Sequence, residues 1–230
     1  MQAGTAVGNL AGVIGVHPEE AAVIEQLKAG SEDAFAWLIS RYQQPLYSLI
    51  YRVLPNPGDA ADITQEVFVK IFRGIGRFHG EASLRTWIYR IALHEALNQR
   101  RWWSRHQRQE LALDAEGDDR YAAPAESLID QQESPFDAAA HAEIASRVEA
   151  AIREVPEPFR TVVVLRDIEG FGYEEIAEIL NANLGTVKSR LMRGRAHLKG
   201  LLAPFMEAAK RRPSSSVSSL PPACSAEEAV

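Results

Sequence analysis

A single cysteine, Cys224, occurs in the 230 residues, which excludes an internal disulfide and a cysteine-cluster metal site. No apolar run approaches the roughly 20 residues that cross a bilayer as a helix, so membrane insertion is not expected. The six histidines are scattered and none has metal-ligand spacing. There is no glycine-rich phosphate loop and no nucleophile elbow. On these grounds no catalytic residue, cofactor or metal is assigned, and the chain is not expected to be an enzyme. A net charge of −6 excludes a basic coat over the whole chain, so any contact with a polyanion must be local. The N-terminus is mildly apolar, with no Lys or Arg ahead of the apolar stretch and no convincing cleavage site. It makes a poor signal peptide, so residues 1–17 are expected as a flexible extension and the cytoplasm as the compartment.

Charge inverts locally in one stretch. Residues 173–199 read YEEIAEILNANLGTVKSRLMRGRAHLK. Ile176, Ala177 and Leu180 mark the inner face of a short helix. Asn181, Ala182 and Asn183 supply a turn, since Asn tolerates the left-handed backbone such turns often need, and Asn183 suits the N-cap of a second helix. In that helix Val187, Leu191, Gly194 and Leu198 fall on one stripe at about 100° per residue. Lys188, Ser189, Arg190, Met192, Arg193, Arg195 and Lys199 stand around the rest. Five basic residues and no acidic one lie between Asn181 and Gly200. This is the footprint of a helix-turn-helix whose second helix fits a DNA major groove; an ordinary amphipathic helix pair with a solvated basic face is the lesser alternative.

The remainder reads as helices separated by breakers. Val23, Ile24 and Leu27 share a face that ends at Gly30. Phe35, Leu38, Ile39 and Tyr42 follow a Ser31 cap, with a break or kink expected just before Pro45 and a further helix carrying Leu46, Leu49, Ile50 and Val53 to the breaker PNPGD. In ADITQEVFVKIFRGI, Ile63, Val67, Phe68 and Ile71 point inward, and Asp62, Gln65, Glu66 and Lys70 outward. Asp62 and Glu66, four apart, lack the third ligand a metal would need; an acidic-polar stripe beside Phe68, Val69 and Phe72 suits docking on a protein better. A glycine-punctuated loop over 74–83 leads through a Ser83 cap into a long helix, where Leu84, Trp87, Ile88, Ile91 and Leu97 can face a core. Arginines and aromatics interleave over 78–103, a mixture suited to single-stranded DNA. Trp87 is placed in the core, and the loop with Phe78, His79 and Glu81 is the candidate grip for an extruded base.

From 106 to 140 the chain holds nine acidic residues against Arg108 and Arg120, a balance of −7, with little periodicity; this fits a flexible linker. A second helical unit starts near His141 with Ile144, Val148 and Ile152. The run FRTVVVLRDIEGFG favours a strand by β-branching, but no other segment could pair with it, and Pro158 and Gly170 sit where a helix would start and stop. The fold class is therefore all-α: two small helical domains, 18–105 and 141–202, joined by an acidic linker at 106–140, the second carrying the helix-turn-helix. Residues 203–230, rich in Ser and Pro, are expected to be disordered.

Three blocks in this order resemble the bacterial RNA polymerase sigma factors, specifically the compact extracytoplasmic-function group. DITQEVFVKIF is similar to the family's segment that docks on the polymerase clamp, FHGEASLRTWIYRIA to the one that melts and reads the minus-10 promoter element, and VPEPFRTVVVLRDIEGFGYEEIAEILNANLGTVKSRL to the minus-35 reader. The resemblance implies a protein that binds core RNA polymerase and directs promoter-specific initiation, with promoter DNA and an anti-sigma factor as further partners, monomeric when free. A stand-alone helix-turn-helix regulator is the alternative. The resemblance to the sigma factors implies core-polymerase contacts at Asp62, Gln65, Glu66 and Phe68. It further implies minus-10 contacts at Phe78, His79, Ser83, Arg90, His94 and Asn98, and minus-35 contacts at Lys188, Ser189, Arg190, Met192, Arg193 and Arg195. Three positions depart from the family pattern. His94 stands where Asn is frequent, NANLGT replaces the usual Gly and Pro turn, and Gly194, where Ala is common, should weaken its helix by about 1 kcal/mol.

Overall fold

The computed structural model describes residues 18–54, 56–110 and 135–211. The proposed N-terminal extension, the central part of the acidic linker, Cys224 and the serine-rich tail lie outside the described residues. Among the described residues eight α-helices follow in order: α1 (Pro18–Lys28), α2 (Glu32–Val53), α3 (Ala60–Gly74), α4 (Leu84–Glu110), α5 (Pro135–Glu154), α6 (Phe159–Val163), α7 (Tyr173–Ile179) and α8 (Leu184–Arg211). Among the described residues there is no strand.

The first unit packs α1 to α4 around Leu38, Leu46, Leu49, Ile50, Val67, Ile71, Leu84 and Ile88, all buried. Local chemistry sets several boundaries. Ser31 caps α2 by accepting the Ala34 amide at 3.4 Å, and Gly30 before it takes φ +78°, open to glycine at little steric strain. Ser83 Oγ accepts the Thr86 amide at 3.0 Å at the start of α4.

The break expected before Pro45 does not occur: one helix runs from Glu32 to Val53 with Pro45 inside. Proline removes one helical hydrogen bond and crowds the preceding turn. Burial of Leu38 on one side and Leu46, Leu49 and Ile50 on the other holds both halves on the same core.

Three further boundaries differ from expectation. Helix α4 continues to Glu110 and α5 starts at Pro135, so both ends of the segment read as linker are helical. Composition alone does not forbid a helix there, because the acidic residues and Gln are compatible with helical backbone. Helix α8 runs nine residues beyond the expected end at Leu202, to Arg211, through Pro204. Leu202, Ala203 and Phe205 are partly buried there, and the Arg147 guanidinium of α5 lies 4.7 Å from the Phe205 ring centroid, an attraction that a solvated tail would not have.

FRTVVVLRDI is helical despite its β-branched residues. Helix α6 passes into a single π-helical turn over Val164–Ile168, where the Glu169 amide donates to the Val164 carbonyl five residues back at 3.0 Å. Thr161, Val162, Val163, Val164 and Leu165 are all buried; burial on every side overrides propensity.

Gly194 has a specific reason to be glycine. A Cβ at that position would stand 2.5 Å from Val163 Cγ2 and 3.1 Å from the Phe159 carbonyl oxygen. Helices α6 and α8 cross in contact at this point, closer than any side chain permits.

Candidate nucleic-acid and polymerase interfaces

The helix-turn-helix consists of α7, a tight turn and α8. The Gly172 amide donates to the Glu175 carboxylate at 2.8 Å and starts α7. Its end folds back through Ala182 N–H to Ala177 O at 2.9 Å, with Asn181 at φ +47°, a left-handed conformation that Asn accepts more readily than most residues. Asn183 Oδ1 accepts the Thr186 amide at 2.7 Å, the N-cap read from the sequence.

Val187, Leu191 and Gly194 of α8 are buried. Lys188, Met192 and Arg193 stand exposed on the opposite side, and Met192 at 68% exposure is an apolar group presented among cations. The rest of the expected minus-35 set is more constrained. Ser189 donates its hydroxyl to the Thr186 carbonyl at 3.1 Å. Arg190 is half-buried. Arg195 forms a two-pronged pair with Asp167, Nε at 3.0 Å and Nη2 at 2.5 Å, and this hydrogen bonding holds its pKa above the ordinary arginine value. Arg193 also lies 5.9 Å from the Phe159 ring.

On the first unit the structure divides the expected minus-10 set. His94 and Asn98 lie one turn apart on α4, with Asn98 Nδ2 3.1 Å from His94 Nδ1. His79 is exposed. Phe78 is not an open stacking platform: it is 4% exposed and packs its ring against Trp87 at 5.3 Å, because an aromatic ring in a short loop gains more from the core than from water. The Ser83 hydroxyl is engaged by the Thr86 amide and sits 2.9 Å from the Thr86 hydroxyl. Arg90 is paired with Glu178 of α7 at 2.5 Å.

The expected polymerase-contact set is split as well. Gln65 and Phe68 line a groove between α2 and α3 with Ile39, Gln43, Gln44 and Tyr47. Glu66 lines a different cleft, between α3 and α4, with Asn98, Arg101 and Trp102. Asp62 is exposed between them. Two large apolar side chains stand out of α3 near the first groove, Val69 at 46% and Phe72 at 60% exposure, with Phe72 4.8 Å from Phe35.

Arg85, Thr86 and Tyr89 were missed by sequence reasoning. They lie on the α4 face turned toward the second unit, where Glu169, Phe171 and Glu175 meet them. Burial first, and then the negative Glu169, push the Tyr89 phenol above its ordinary pKa. Helical spacing sets Thr86 and Tyr89 away from the stripe of Leu84, Ile88 and Ile91, so nothing in the sequence marked them for burial or named their partner.

Two family patterns match the chain: Sigma-70 region 2 over residues 38–108 and Sigma-70 region 4 over residues 141–198. The RNA polymerase sigma-H factor of Pseudomonas aeruginosa is 33% identical over 187 residues, 81% of this chain and 95% of that protein. The ECF RNA polymerase sigma-E factor of Haemophilus influenzae is 35% identical, over 80% of this chain and 96% of that protein. Among solved structures, RpoE of Bartonella quintana bound to the anti-sigma factor NepR superposes with a TM-score of 0.58 at 22% identity, covering 74% of this chain and 96% of that one. CnrH bound to the cytosolic domain of CnrY gives 0.57 at 23%, covering 80% and 97%. At these identities the structural matches speak for the fold alone.

Proposed function

The chain belongs to the extracytoplasmic-function group of RNA polymerase sigma factors, and we propose that its two helical units divide the work of directing core polymerase to a promoter. The second unit docks the minus-35 element through α8, with Lys188, Met192 and Arg193 toward the groove floor and flanking phosphates. Arg190 and Arg195 serve the backbone, the latter after exchanging Asp167 for phosphate. The cationic outer face of α8, set opposite the buried Val187, Leu191 and Gly194, carries this reading.

The first unit takes the minus-10 strand on α4. His79, Arg90, His94 and Asn98 contact the strand, with Phe78 and Ser83 shaping the loop from beneath. Extruding a base requires a few kcal/mol, which polymerase binding offsets. Core polymerase rests on α3, where an apolar centre beside Gln65 and Phe68 with a polar edge at Asp62 and Glu66 has the make-up of a protein interface. An anti-sigma factor that covers these surfaces is the expected regulator. The working compartment is the cytoplasm; among the described residues no helix is long and apolar enough to cross a membrane.

Reconstitution with core polymerase tests the reading: promoter-specific run-off transcripts are expected, and tight core-independent binding to a palindrome as a dimer would return the stand-alone regulator. Arg193→Ala should lower minus-35-dependent initiation about tenfold, the loss of about 1.4 kcal/mol of DNA contact. Comparing Gln65→Ala with Glu66→Ala in core pull-downs reports which of the two grooves the clamp uses. Wild-type behaviour of all three variants would refute the assignment.

A further inference from the structure

Lys188, Met192, Arg195 and Lys199 recur at the spacing that places residues on one side of a helix, and all four are exposed on α8. Arg195, inside this column, already holds an anion. Its Nε donates to the Asp167 carboxylate at 3.0 Å and its Nη2 at 2.5 Å. One edge of the guanidinium, a fork that fits carboxylate and phosphate alike, is therefore taken.

Backbone packing sets this pair. Asp167 lies in the π-helical turn Val164–Ile168, four residues after Val163, and Arg195 directly follows Gly194. Val163 and Gly194 belong to the crossing contact of α6 and α8, where an added Cβ would stand 2.5 Å from Val163 Cγ2. Val164 and Leu165 are buried, and Arg166 donates to the Phe171 carbonyl at 2.7 Å, which holds the turn in place. Most exposed ion pairs lose their gain to side-chain ordering. Here a short side chain on packed backbone presents the carboxylate, and both hydrogen bonds form although Asp167 and Arg195 are 33% and 51% exposed.

A phosphate that replaces Asp167 on this edge costs both of those hydrogen bonds, and a phosphate on the far edge meets the repulsion of the carboxylate. Either way Asp167 lowers the attraction of Arg195 for the DNA backbone. That attraction is the sequence-independent part of binding, whereas the contacts of Lys188, Met192 and Arg193 with base edges are untouched. We propose that Asp167 is a specificity-determining residue of the second unit: it neutralises Arg195 and so restrains binding of α8 to arbitrary DNA relative to the minus-35 element. This rests on the reading of α8 as the minus-35 helix.

The full chain, titrated with short random-sequence duplexes over a series of salt concentrations, tests this. Asp167→Asn keeps the size of the side chain and one acceptor oxygen while removing the charge. It should bind about threefold to fivefold more tightly than the wild type, and its dependence of log affinity on log salt should steepen by about 0.9, the value of one further phosphate contact. Asp167→Glu, which keeps the charge, should stay near the wild-type slope. So should Glu174→Gln, which removes an equal charge from an exposed position of α7. In an Arg195→Ala background, Asp167→Asn should leave the slope unchanged.

Equal or weaker binding by Asp167→Asn would overturn the proposal. So would the same steepening in Glu174→Gln or in the Arg195→Ala background, since the effect would then be one of net charge. Arg193→Ala reports on the underlying reading: its slope should be shallower by about 0.9, and an unchanged slope would remove α8 as a DNA surface. A shallower slope there, together with an Asp167→Asn protein that binds like the wild type, leaves the minus-35 reading standing and removes only the role of Asp167.

Discussion

Replacing Gly194 by alanine sets helix propensity against packing. On propensity alone the change should stabilise α8 by about 1 kcal/mol. The new Cβ, however, would lie 2.5 Å from Val163 Cγ2 and 3.4 Å from Phe159 Cβ, and 3.1 Å from a backbone oxygen, where carbon atoms pack best at about 3.5–4.0 Å. Val163 is 1% exposed and β-branched in a helix, so it has essentially one rotamer and cannot swing away. Overpacking of this kind costs about 1–3 kcal/mol, so the net expectation is a loss of up to about 2 kcal/mol.

Gly200, six residues on in the same helix, has nothing within 4 Å of its Cβ position, and Gly200→Ala should stabilise by about 1 kcal/mol. The two variants should then differ in melting temperature by up to about 6–12 °C, at about 2–4 °C per kcal/mol, in thermal scans followed by circular dichroism. Val163→Ala should rescue Gly194→Ala with a favourable coupling of about 0.5–3 kcal/mol. A Gly194→Ala protein as stabilised as Gly200→Ala, with no coupling to Val163, would refute the close-contact argument.

Asn183→Ala should remove the cap at Thr186 N–H and lower stability by about 1 kcal/mol, with Asn183→Ser retaining most of it; equal loss in both, measured by urea denaturation, would place the role of Asn183 elsewhere. Alkaline pH should loosen the fold. Burial raises Tyr42 and Tyr89 above their ordinary pKa, assisted by Glu20 and Glu169 respectively and opposed by Arg85, with Arg41 also opposing at Tyr42. Both stay neutral in the folded chain while the unfolded chain ionises. The stability they contribute is therefore complete below about pH 10 and is lost as pH rises above it. Denaturant midpoints should fall there in the wild type and fall less in Tyr89→Phe; an equal fall would show that Tyr89 is not the group responsible.

Much of the candidate site was legible because it depends on local chemistry. Asn181 and Asn183 announce a turn and a cap through their own side chains, and the stripe Val187, Leu191, Gly194 follows from helical period. The inward face of α3 was readable on the same basis. Phe78 was misplaced because an aromatic residue in a glycine-rich loop can either stack on a ligand or floor the loop, and only the position of Trp87 decides between them. The residues expected to contact polymerase form one stripe in the sequence. On the helix, Gln65 and Glu66 are about 100° apart, and the flanking helices α2 and α4 turn that angle into two separate grooves.

By itself, the sequence determined the helices, most of their caps, the division into two units and the local basic surface. These follow from periodicity, backbone preference and charge, all properties of neighbouring residues. Tertiary structure alone decided that α2 passes through Pro45, that α8 continues past Leu202, and that Gly194 is a contact point rather than a weak helix residue. It alone also set Glu169, Glu175 and Glu178 against Thr86, Tyr89 and Arg90. Partners some 80 to 90 positions apart in the chain leave no periodic trace, because the energy of such a contact depends on where the whole fold carries each side chain.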